Sequence, residues 1–203
     1  MISRRFARVL AAVLVLAWSW DVTSAADSQS TLAGYLLVAS PDMPDPRFAE
    51  TVVYMCRHDA EGAFGLVLNR PAGDMALSRV LESFKVEKAE EAQGMIEVRR
   101  GGPVEGNRGY VMHSDDFKAH GSICRDDGVA VSASIDVLRA MAAGQGPERA
   151  ILFLGYAGWA PGQLDDEVAQ DGWVVVPSDA KMLLDRDVTG LWRRAMTRRG
   201  IDL

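Results

Sequence analysis

Short apolar runs separated by glycine, proline and charged residues fill the first two-thirds of the chain. Runs of this kind, bounded by turn-forming residues, predict buried strands. They lie at Gly34–Ala39, Thr51–His58, Ala63–Asn69, Ile96–Arg99, Gly109–His113 and Gly128–Ser132. The second and third runs flank Asp59–Gly62, which predicts a hairpin. A helix is expected where Leu77, Val80, Leu81 and Phe84 share one face.

Helical spacing becomes frequent only in the last third of the chain. Strands are predicted there at Ile151–Leu154 and Trp173–Val176, and helices at Ser134–Ala143, Gln163–Ala169, Ser178–Leu184 and Val188–Arg199. Because strands cluster early and alternate with helices only late, we predict a single α+β domain over residues 31–203 rather than a regular doubly wound sheet.

A glycine-rich segment leads into the helix predicted at Gln163. Gly155 lets the main chain approach another group closely, and Tyr156 and Trp159 place two large rings beside it. The glycine spacing matches neither a dinucleotide fingerprint nor a phosphate loop. A nucleophile elbow would need a reactive side chain where this chain has Ala157. The segment therefore predicts a ligand-binding loop without a nucleophile.

Two other segments place polar groups at strand ends. Asn69 and Arg70 end a predicted strand, and the Gly101–Pro103 turn offers amides that can hold an anion or an oxyanion. The alternative is a pinned loop in which Arg70 donates hydrogen bonds to main-chain carbonyls. The candidate binding surface therefore comprises Asn69, Arg70, Gly101, Gly102, Pro103, Gly155, Tyr156, Trp159 and Gln163.

The histidines are predicted to be structural. Cys56 and His58 lie on one face of a strand, where residues two apart are separated by about 7 Å, too far for a thiolate and its base. Cys56, His58 and His113 also lack the dense ligand spacing of a zinc motif. We therefore predict neither a metal site nor a cofactor.

The net charge of the chain limits the classes of partner that it is expected to bind. The 203 residues carry a formal net charge of −6, and an acidic protein repels nucleic acid and anionic membranes. Arg193, Arg194, Arg198 and Arg199 depart from this pattern, but cations at the end of a helix interact favourably with its dipole. The expected partner is another protein or a small neutral ligand, and a nucleic-acid partner is not expected.

The N-terminus has the order of a secretory signal peptide. Arg4, Arg5 and Arg8 precede the apolar run Val9–Trp18, and small residues follow at Thr23–Ala26. The run has about half the length that a membrane-spanning helix needs, so no permanent membrane anchor is expected. We predict a signal peptide at residues 1–26, a polar joint at residues 27–30 and a periplasmic mature protein, with a cytoplasmic protein as the alternative.

Cys56 and Cys124 are a candidate disulfide pair. In an oxidising periplasm they can form one bond, whereas in a reducing cytosol such residues are typically buried thiols. The sequence leaves both arrangements open.

Four segments, taken in order, resemble the AlgH/YqgE family of bacterial proteins. They are GYLLVASPDMPDPRF, TVVYMCRHDAEGAFGLVLNRP, GGPVEGNRGYVMHS and LGYAGWAPGQLDDE. The resemblance covers nearly all of residues 31–203 and implies an α+β domain whose bent, bifurcated mixed sheet forms a pseudo-barrel, flanked by about four short helices. The family has no established biochemical activity, and one branch is associated with positive regulation of alginate synthesis.

Three functions follow as hypotheses. The first is a non-enzymatic binding or regulatory module whose candidate binding surface lines one shared site. The second is a hydrolase or acyl-transfer enzyme in which loop amides stabilise an oxyanion and Asp165, Asp166 or His113 acts as the base. The third, a transcriptional regulator, applies only if the chain is cytosolic.

Overall fold

The computed structural model describes residues 31–87, 89–126 and 128–198, so the predicted signal peptide and polar joint lie outside the described residues. Apolar runs pair along one branched sheet because their backbone groups must be satisfied where they are buried. Its strands are β1 (Tyr35–Ala39), β2 (Val52–Asp59), β3 (Gly62–Val67), β4 (Pro71–Ala76), β5 (Met95–Arg100), β6 (Val104–Ser114), β7 (Ser122–Asp126), β8 (Val129–Ser132), β9 (Ala150–Trp159) and β10 (Trp173–Pro177).

Five short α-helices accompany the sheet within the described ranges. They are α1 (Leu77–Ser83), α2 (Asp136–Ala142), α3 (Gln163–Ala169), α4 (Ala180–Leu183) and α5 (Leu191–Thr197). The predicted α+β class is therefore confirmed. None of these helices is long and apolar enough to span a membrane.

The sheet divides at β9, which confirms the expected bifurcation. Residues Ile151–Leu154 of β9 pair with β5 in parallel and with β6 in antiparallel orientation. Beyond Gly155 the strand leaves β5, and Ala157–Trp159 pair with β3 instead. The main path is β10-β1-β2-β3-β9-β6-β8-β7, and its end strands β10 and β7 do not pair, so the bent sheet is not a closed barrel.

The apolar runs do not alternate with polar residues because several strands are buried on both faces. In β1, Leu36 and Val38 belong to one hydrophobic core, whereas Leu37 and Ala39 belong to another that also contains Trp159, Leu164 and Trp173. A third core lies beneath α1 and α2. The end of β9 and the start of α3 are thus fixed on the second core.

Cys56 and Cys124 form a disulfide between β2 and β7, two strands that are not neighbours in the sheet. Each strand has an irregular register at this point. Cys56 is the extra residue where Met55 pairs with Gly65 and Arg57 with Phe64, and an equivalent shift surrounds Ile123 in β7. The disulfide therefore draws the end strand β7 towards β2 at two β-bulges.

Candidate functional site

The glycine-rich segment is a strand rather than the predicted loop, since β9 continues to Trp159. Gly155 has a φ of 73°, and a Cβ atom there would lie 2.7 Å from the carbonyl oxygen of Gly102. A Cβ on Gly101 would lie 2.2 Å from the oxygen of Gly155. These glycines therefore allow two backbone segments to touch at the fork of the sheet.

The Gly101–Pro103 turn does not offer the free amide that an oxyanion site at Gly101 would need. The Gly101 N–H donates to the carbonyl of Leu154 at 2.8 Å, and the Gly101 carbonyl accepts from the N–H of Val67 at 2.8 Å. The turn is tied into the sheet on both sides, which explains why its position is fixed and why its conformation needs glycine.

Asn69 and Arg70 hold the chain that enters β2. The Asn69 side chain accepts from the N–H of Val52 at 2.9 Å and donates to the carbonyl of Glu50 at 2.8 Å. Arg70 donates to the carbonyl of Ala49 at 2.6 Å. This is the pinned-loop arrangement that the sequence left as an alternative, and neither side chain lines the clefts described next.

Two clefts flank the end of β9. The first, here called the tyrosine cleft, has a volume of about 470 Å³ and is lined by Arg57, Ala63, Phe64, Val104, Arg108, Tyr110, Ile123, Tyr156, Gly158, Trp159 and Ala160. The second, the tryptophan cleft, has a volume of about 270 Å³ and is lined by Met43, Pro44, Asp45, Arg47, Phe48, Pro103, Val104, Gly158, Trp159, Gln163, Glu167, Gln170, Gly172 and Trp173. Of the candidate binding surface, Tyr156 lines the first, Pro103 and Gln163 the second, and Trp159 both.

The floor of the tyrosine cleft is a cluster of three rings. The centroid of Phe64 lies 5.1 Å from that of Tyr110 and 5.0 Å from that of Tyr156, and the two tyrosine rings are 5.9 Å apart. Neither tyrosine hydroxyl makes a hydrogen bond to another described residue. Burial raises the pKa of Tyr110, so this hydroxyl keeps its proton and remains a donor at neutral pH.

Two guanidinium groups stand at the rim of this cleft. Arg108 lies over the Tyr110 ring, with its Cζ 5.6 Å from the centroid, and contacts Glu105 at 3.0 Å. Arg57 contacts Asp59 at 3.6 Å. Both arginine side chains are more than half exposed, and no carboxylate is among the lining residues. The cleft therefore has two guanidinium groups at its rim above an aromatic floor, and the carboxylates that they contact lie outside the lining.

Glu167 organises the tryptophan cleft. One of its carboxylate oxygens accepts from the indole N–H groups of Trp159 and Trp173 at 2.9 and 2.8 Å, and the other accepts from the Gln163 amide at 2.9 Å. The Gln163 oxygen in turn accepts from the N–H of Ala160 at 3.1 Å. Trp159 is only 7% exposed, so its ring is a buried wall rather than a displayed group.

Two of the three histidines, His58 and His113, make structural hydrogen bonds, whereas His120 is exposed. His58 Nδ1 accepts from the N–H of Leu32 at 3.2 Å, which leaves the proton on Nε2, 3.4 Å from Asp165. Buried His113 donates from Nδ1 to the carbonyl of Ser114 at 2.9 Å, so its Nε2 accepts from the Ser132 hydroxyl at 3.1 Å. Burial lowers the pKa of His113 and keeps it neutral. The described residues contain no cluster of His, Cys, Asp and Glu that could hold a metal ion.

Several lining residues were absent from the candidate binding surface. Arg57, Phe64, Arg108 and Tyr110 come from β2, β3 and β6, and the fold brings them together with Tyr156. Within the resembling segment GGPVEGNRGYVMHS, an arginine and a tyrosine two residues apart, Arg108 and Tyr110, were the local signal for this site. Phe48 and Glu167 lie in two other resembling segments but, like Trp173, were not included in the candidate binding surface.

Comparison with known proteins places the whole described domain in one family. The sequence profile of the AlgH-like family matches residues 36–203. A UPF0301 protein of Nitrobacter hamburgensis is 45% identical over 192 residues, covering 90% of this chain and 88% of its own. Another, from Methylocella silvestris, is 47% identical over 178 residues, covering 84% of this chain and 86% of its own.

Solved structures agree with the sequence comparison. The solution structure of the AlgH protein from Pseudomonas aeruginosa matches with a TM-score of 0.70 and 38% identity, covering 86% of this chain and 92% of its own. A crystal structure of a protein from Corynebacterium diphtheriae, 23% identical, shares the fold with a TM-score of 0.60 over 82% of this chain and 86% of its own. The chain belongs to the AlgH-like family.

Proposed function

We propose that this protein is a non-enzymatic binding module and that the tyrosine cleft holds its ligand. One observation carries the proposal: the hydroxyls of Tyr110 and Tyr156 lack a protein partner and stand beside a floor of packed rings. Neither hydroxyl oxygen is buried, so both are open to the cleft and can donate to a ligand in place of water.

The charge of this cleft favours an organic anion over the neutral ligand expected from the sequence. Arg57 and Arg108 line it, whereas the carboxylates that they contact, Asp59 and Glu105, lie outside the lining. A guanidinium pairs well with carboxylate or phosphate oxygens, and the ring floor offers an apolar surface to a flat ligand. A volume of about 470 Å³ lies within the usual range for small-molecule sites. The ligand is therefore a small flat molecule with one acidic group.

The hydrolase alternative draws no support from the positions of its proposed groups. Asp165 contacts His58, whereas His113 is buried and bonded within the pair of strands β6 and β8. The Gly101 amide, which would stabilise an oxyanion, already donates to Leu154. A nucleophile, a base and an oxyanion donor need mutual contact around one reacting atom, and these groups do not provide it.

Binding is tested with benzoate and phenyl phosphate, using benzyl alcohol as the uncharged probe, by calorimetry and amide-detected NMR. We expect both anions to bind at the tyrosine cleft and the alcohol to bind at least tenfold more weakly, because a charge-assisted hydrogen bond contributes about 1.5–3 kcal/mol. Arg108→Gln and Tyr156→Phe should each weaken binding. Tyr35→Phe is the matched control, since Tyr35 is exposed on β1. Equal affinity for the alcohol, or unchanged binding in both variants, would refute the site.

We further propose that the protein works in an oxidising compartment such as the periplasm. The disulfide between Cys56 and Cys124 and the signal-like order of residues 1–26 support this location. N-terminal sequencing of the protein from fractionated cells tests it, and we expect a mature chain beginning at Ala26 or Asp27 in the periplasmic fraction. A full-length cytosolic chain would contradict the proposal and revive gene regulation as a function.

A further inference from the structure

We propose that the tryptophan cleft binds an organic cation, specifically an alkylammonium group. This site is separate from the anion site above, and its first basis is the position of Glu167. The Glu167 carboxylate accepts from two indole N–H groups and one amide, all of them neutral donors. No salt bridge to Glu167 exists among the described residues, so its negative charge has no cationic partner.

Three aromatic rings line the cleft together with this carboxylate, and two of them, the indoles of Trp159 and Trp173, donate their N–H groups to it. The centroid of Phe48 lies 6.3 Å from that of Trp159 and 5.5 Å from that of Trp173, and the two indoles are 6.0 Å apart. All three residues line the cleft. Aromatic rings attract ammonium groups through their negative faces, and the attraction is strongest where water is excluded. A carboxylate set among such rings is the arrangement that recognises an alkylated ammonium.

Arg47, the basic residue that lines this cleft, does not supply the positive counter-charge that Glu167 lacks. Arg47 is held in a two-point contact by Asp45, with Nε 3.0 Å from one carboxylate oxygen and Nη2 2.6 Å from the other. This pairing lowers the pKa of Asp45 and raises that of Arg47, so both remain ionised and neutralise each other. Arg47 is the one basic residue in the lining.

The segments that form the walls add further negative charge. Residues 40–50 and 160–172 contain seven carboxylates, at Asp42, Asp45, Glu50, Asp165, Asp166, Glu167 and Asp171, but only one cationic side chain, Arg47. Of these carboxylates, Asp45 and Glu167 line the cleft beside Arg47, and an excess of negative charge in and around a cleft raises the local concentration of cations. The surroundings of the cleft therefore attract cations.

The donor set favours an organic cation over a metal ion. Calcium takes six to eight oxygen ligands and magnesium nearly ideal octahedral geometry. Here two carboxylates line the cleft: Asp45 is paired with Arg47, and both oxygens of Glu167 already accept hydrogen bonds. A volume of about 270 Å³ accommodates a methylated ammonium head with a short chain.

The experiment titrates the full chain with choline and with its uncharged carbon isostere, 3,3-dimethylbutan-1-ol, at constant ionic strength. In nitrogen-15 NMR the indole N–H signal of Trp173 reports on this cleft alone, whereas Trp159 lines both clefts. We expect saturable shifts of the Trp159 and Trp173 signals with choline and at least tenfold weaker binding of the alcohol. The Trp192 indole, which donates to the carbonyl of Ala39 at 2.7 Å, is the internal reference and should not move.

Two variants separate the charge from the rings. Glu167→Gln should weaken choline binding at least tenfold, with exposed Glu87→Gln as its control. Phe48→Leu keeps the Glu167 hydrogen bonds but removes one ring, and should weaken choline binding about threefold to tenfold. If Glu167→Gln does not fold, Phe48→Leu decides. Equal binding of choline and the alcohol, or unchanged choline affinity in Phe48→Leu, would overturn the inference.

Two variants distinguish a refutation of the cation site in the tryptophan cleft from a refutation of the anion site in the tyrosine cleft. Tyr156→Phe should leave choline binding unchanged, because Tyr156 does not line the tryptophan cleft. Phe48→Leu should likewise leave benzoate binding unchanged, because Phe48 does not line the tyrosine cleft. If one variant abolished both affinities, the two clefts would not be separate sites, and that result would also contradict the inference.

Discussion

The tyrosine cleft and the tryptophan cleft share Val104, Gly158 and Trp159, but their polar groups differ in charge and in how fully they are used. In the first, two hydroxyls have no protein partner beneath a rim of two guanidinium groups. In the second, the carboxylate of Glu167 is held by three donors and lacks only a counter-charge. A ligand in the tyrosine cleft can therefore supply both hydrogen-bond partners and a counter-charge, whereas a ligand in the tryptophan cleft supplies only a counter-charge.

The difference originates in one strand. Side chains along a strand point alternately to its two faces. Tyr156 therefore packs against one core of the domain, and Ala157 and Trp159 belong to the other. Because β9 separates from β5 at Gly155, its last residues pair with β3, and their side chains reach both clefts. The fork of the sheet thus builds two neighbouring sites of unlike chemistry from one strand end.

Removing the disulfide should produce the largest difference between the two clefts, because the disulfide supports wall residues of the tyrosine cleft only. Arg57 and Ile123, which line the tyrosine cleft, are the sequence neighbours of Cys56 and Cys124. Replacing both cysteines with serine opens a loop of 68 residues and should lower the free energy of unfolding by about 4 kcal/mol on the chain-entropy model. Urea unfolding monitored by circular dichroism measures the loss.

Ligand titrations on the same double variant complete this test. We expect weaker benzoate binding, because β7 is an end strand held otherwise by β8, and unchanged choline binding. Adding a reductant should destabilise the wild-type protein but not the variant. Equal loss of both affinities would mean that the disulfide supports the domain as a whole rather than the tyrosine cleft.

Removing the carboxylate of Glu167 should be the next largest effect. Glu167→Ala leaves the indole N–H groups of Trp159 and Trp173 buried without an acceptor, and a buried unsatisfied donor costs about 1–3 kcal/mol. We expect urea unfolding to show a loss of about 3 kcal/mol, and near-ultraviolet circular dichroism to show altered packing of both indoles. Asp166→Ala, on the exposed side of α3, is the control and should change stability little.

Strands buried on both faces could be predicted from the sequence, and strands that depend on a neighbour could not. β1, β2 and β3 are apolar runs and were predicted to within about two residues. The exposed strand β4 and the half-exposed strand β7 have no apolar pattern and were missed. The end of β9 was interpreted as a loop because of its glycines, yet β3 pairs with it and makes it a strand.

The candidate site was predictable only where it is local in sequence. Tyr156, Trp159 and Gln163 were identified because they lie together around the end of β9. Arg57 and Arg108 reach the same place from β2 and β6, through pairings that no local pattern encodes. The glycines at 101, 102 and 155 resembled a ligand cradle because close approach of any group needs glycine, and here the approaching group is the protein's own backbone.

The smallest predicted effect concerns pH. It tests whether the free energy of unfolding and the affinity for benzoate depend on different groups as pH falls. His113 lines neither cleft, and burial lowers its pKa below the unfolded value of about 6.5. The unfolded chain therefore binds a proton that the folded chain does not, so stability is full above pH 6.5 and falls as pH drops through the interval between the two pKa values. His113→Asn should remove this dependence in urea unfolding, whereas exposed His120→Asn should not.

The affinity for benzoate should stay constant over the same interval, because the guanidinium groups of the tyrosine cleft do not titrate there. A benzoate affinity that followed the His113 titration would show that the cleft is coupled to the β6–β8 core rather than built locally at the end of β9.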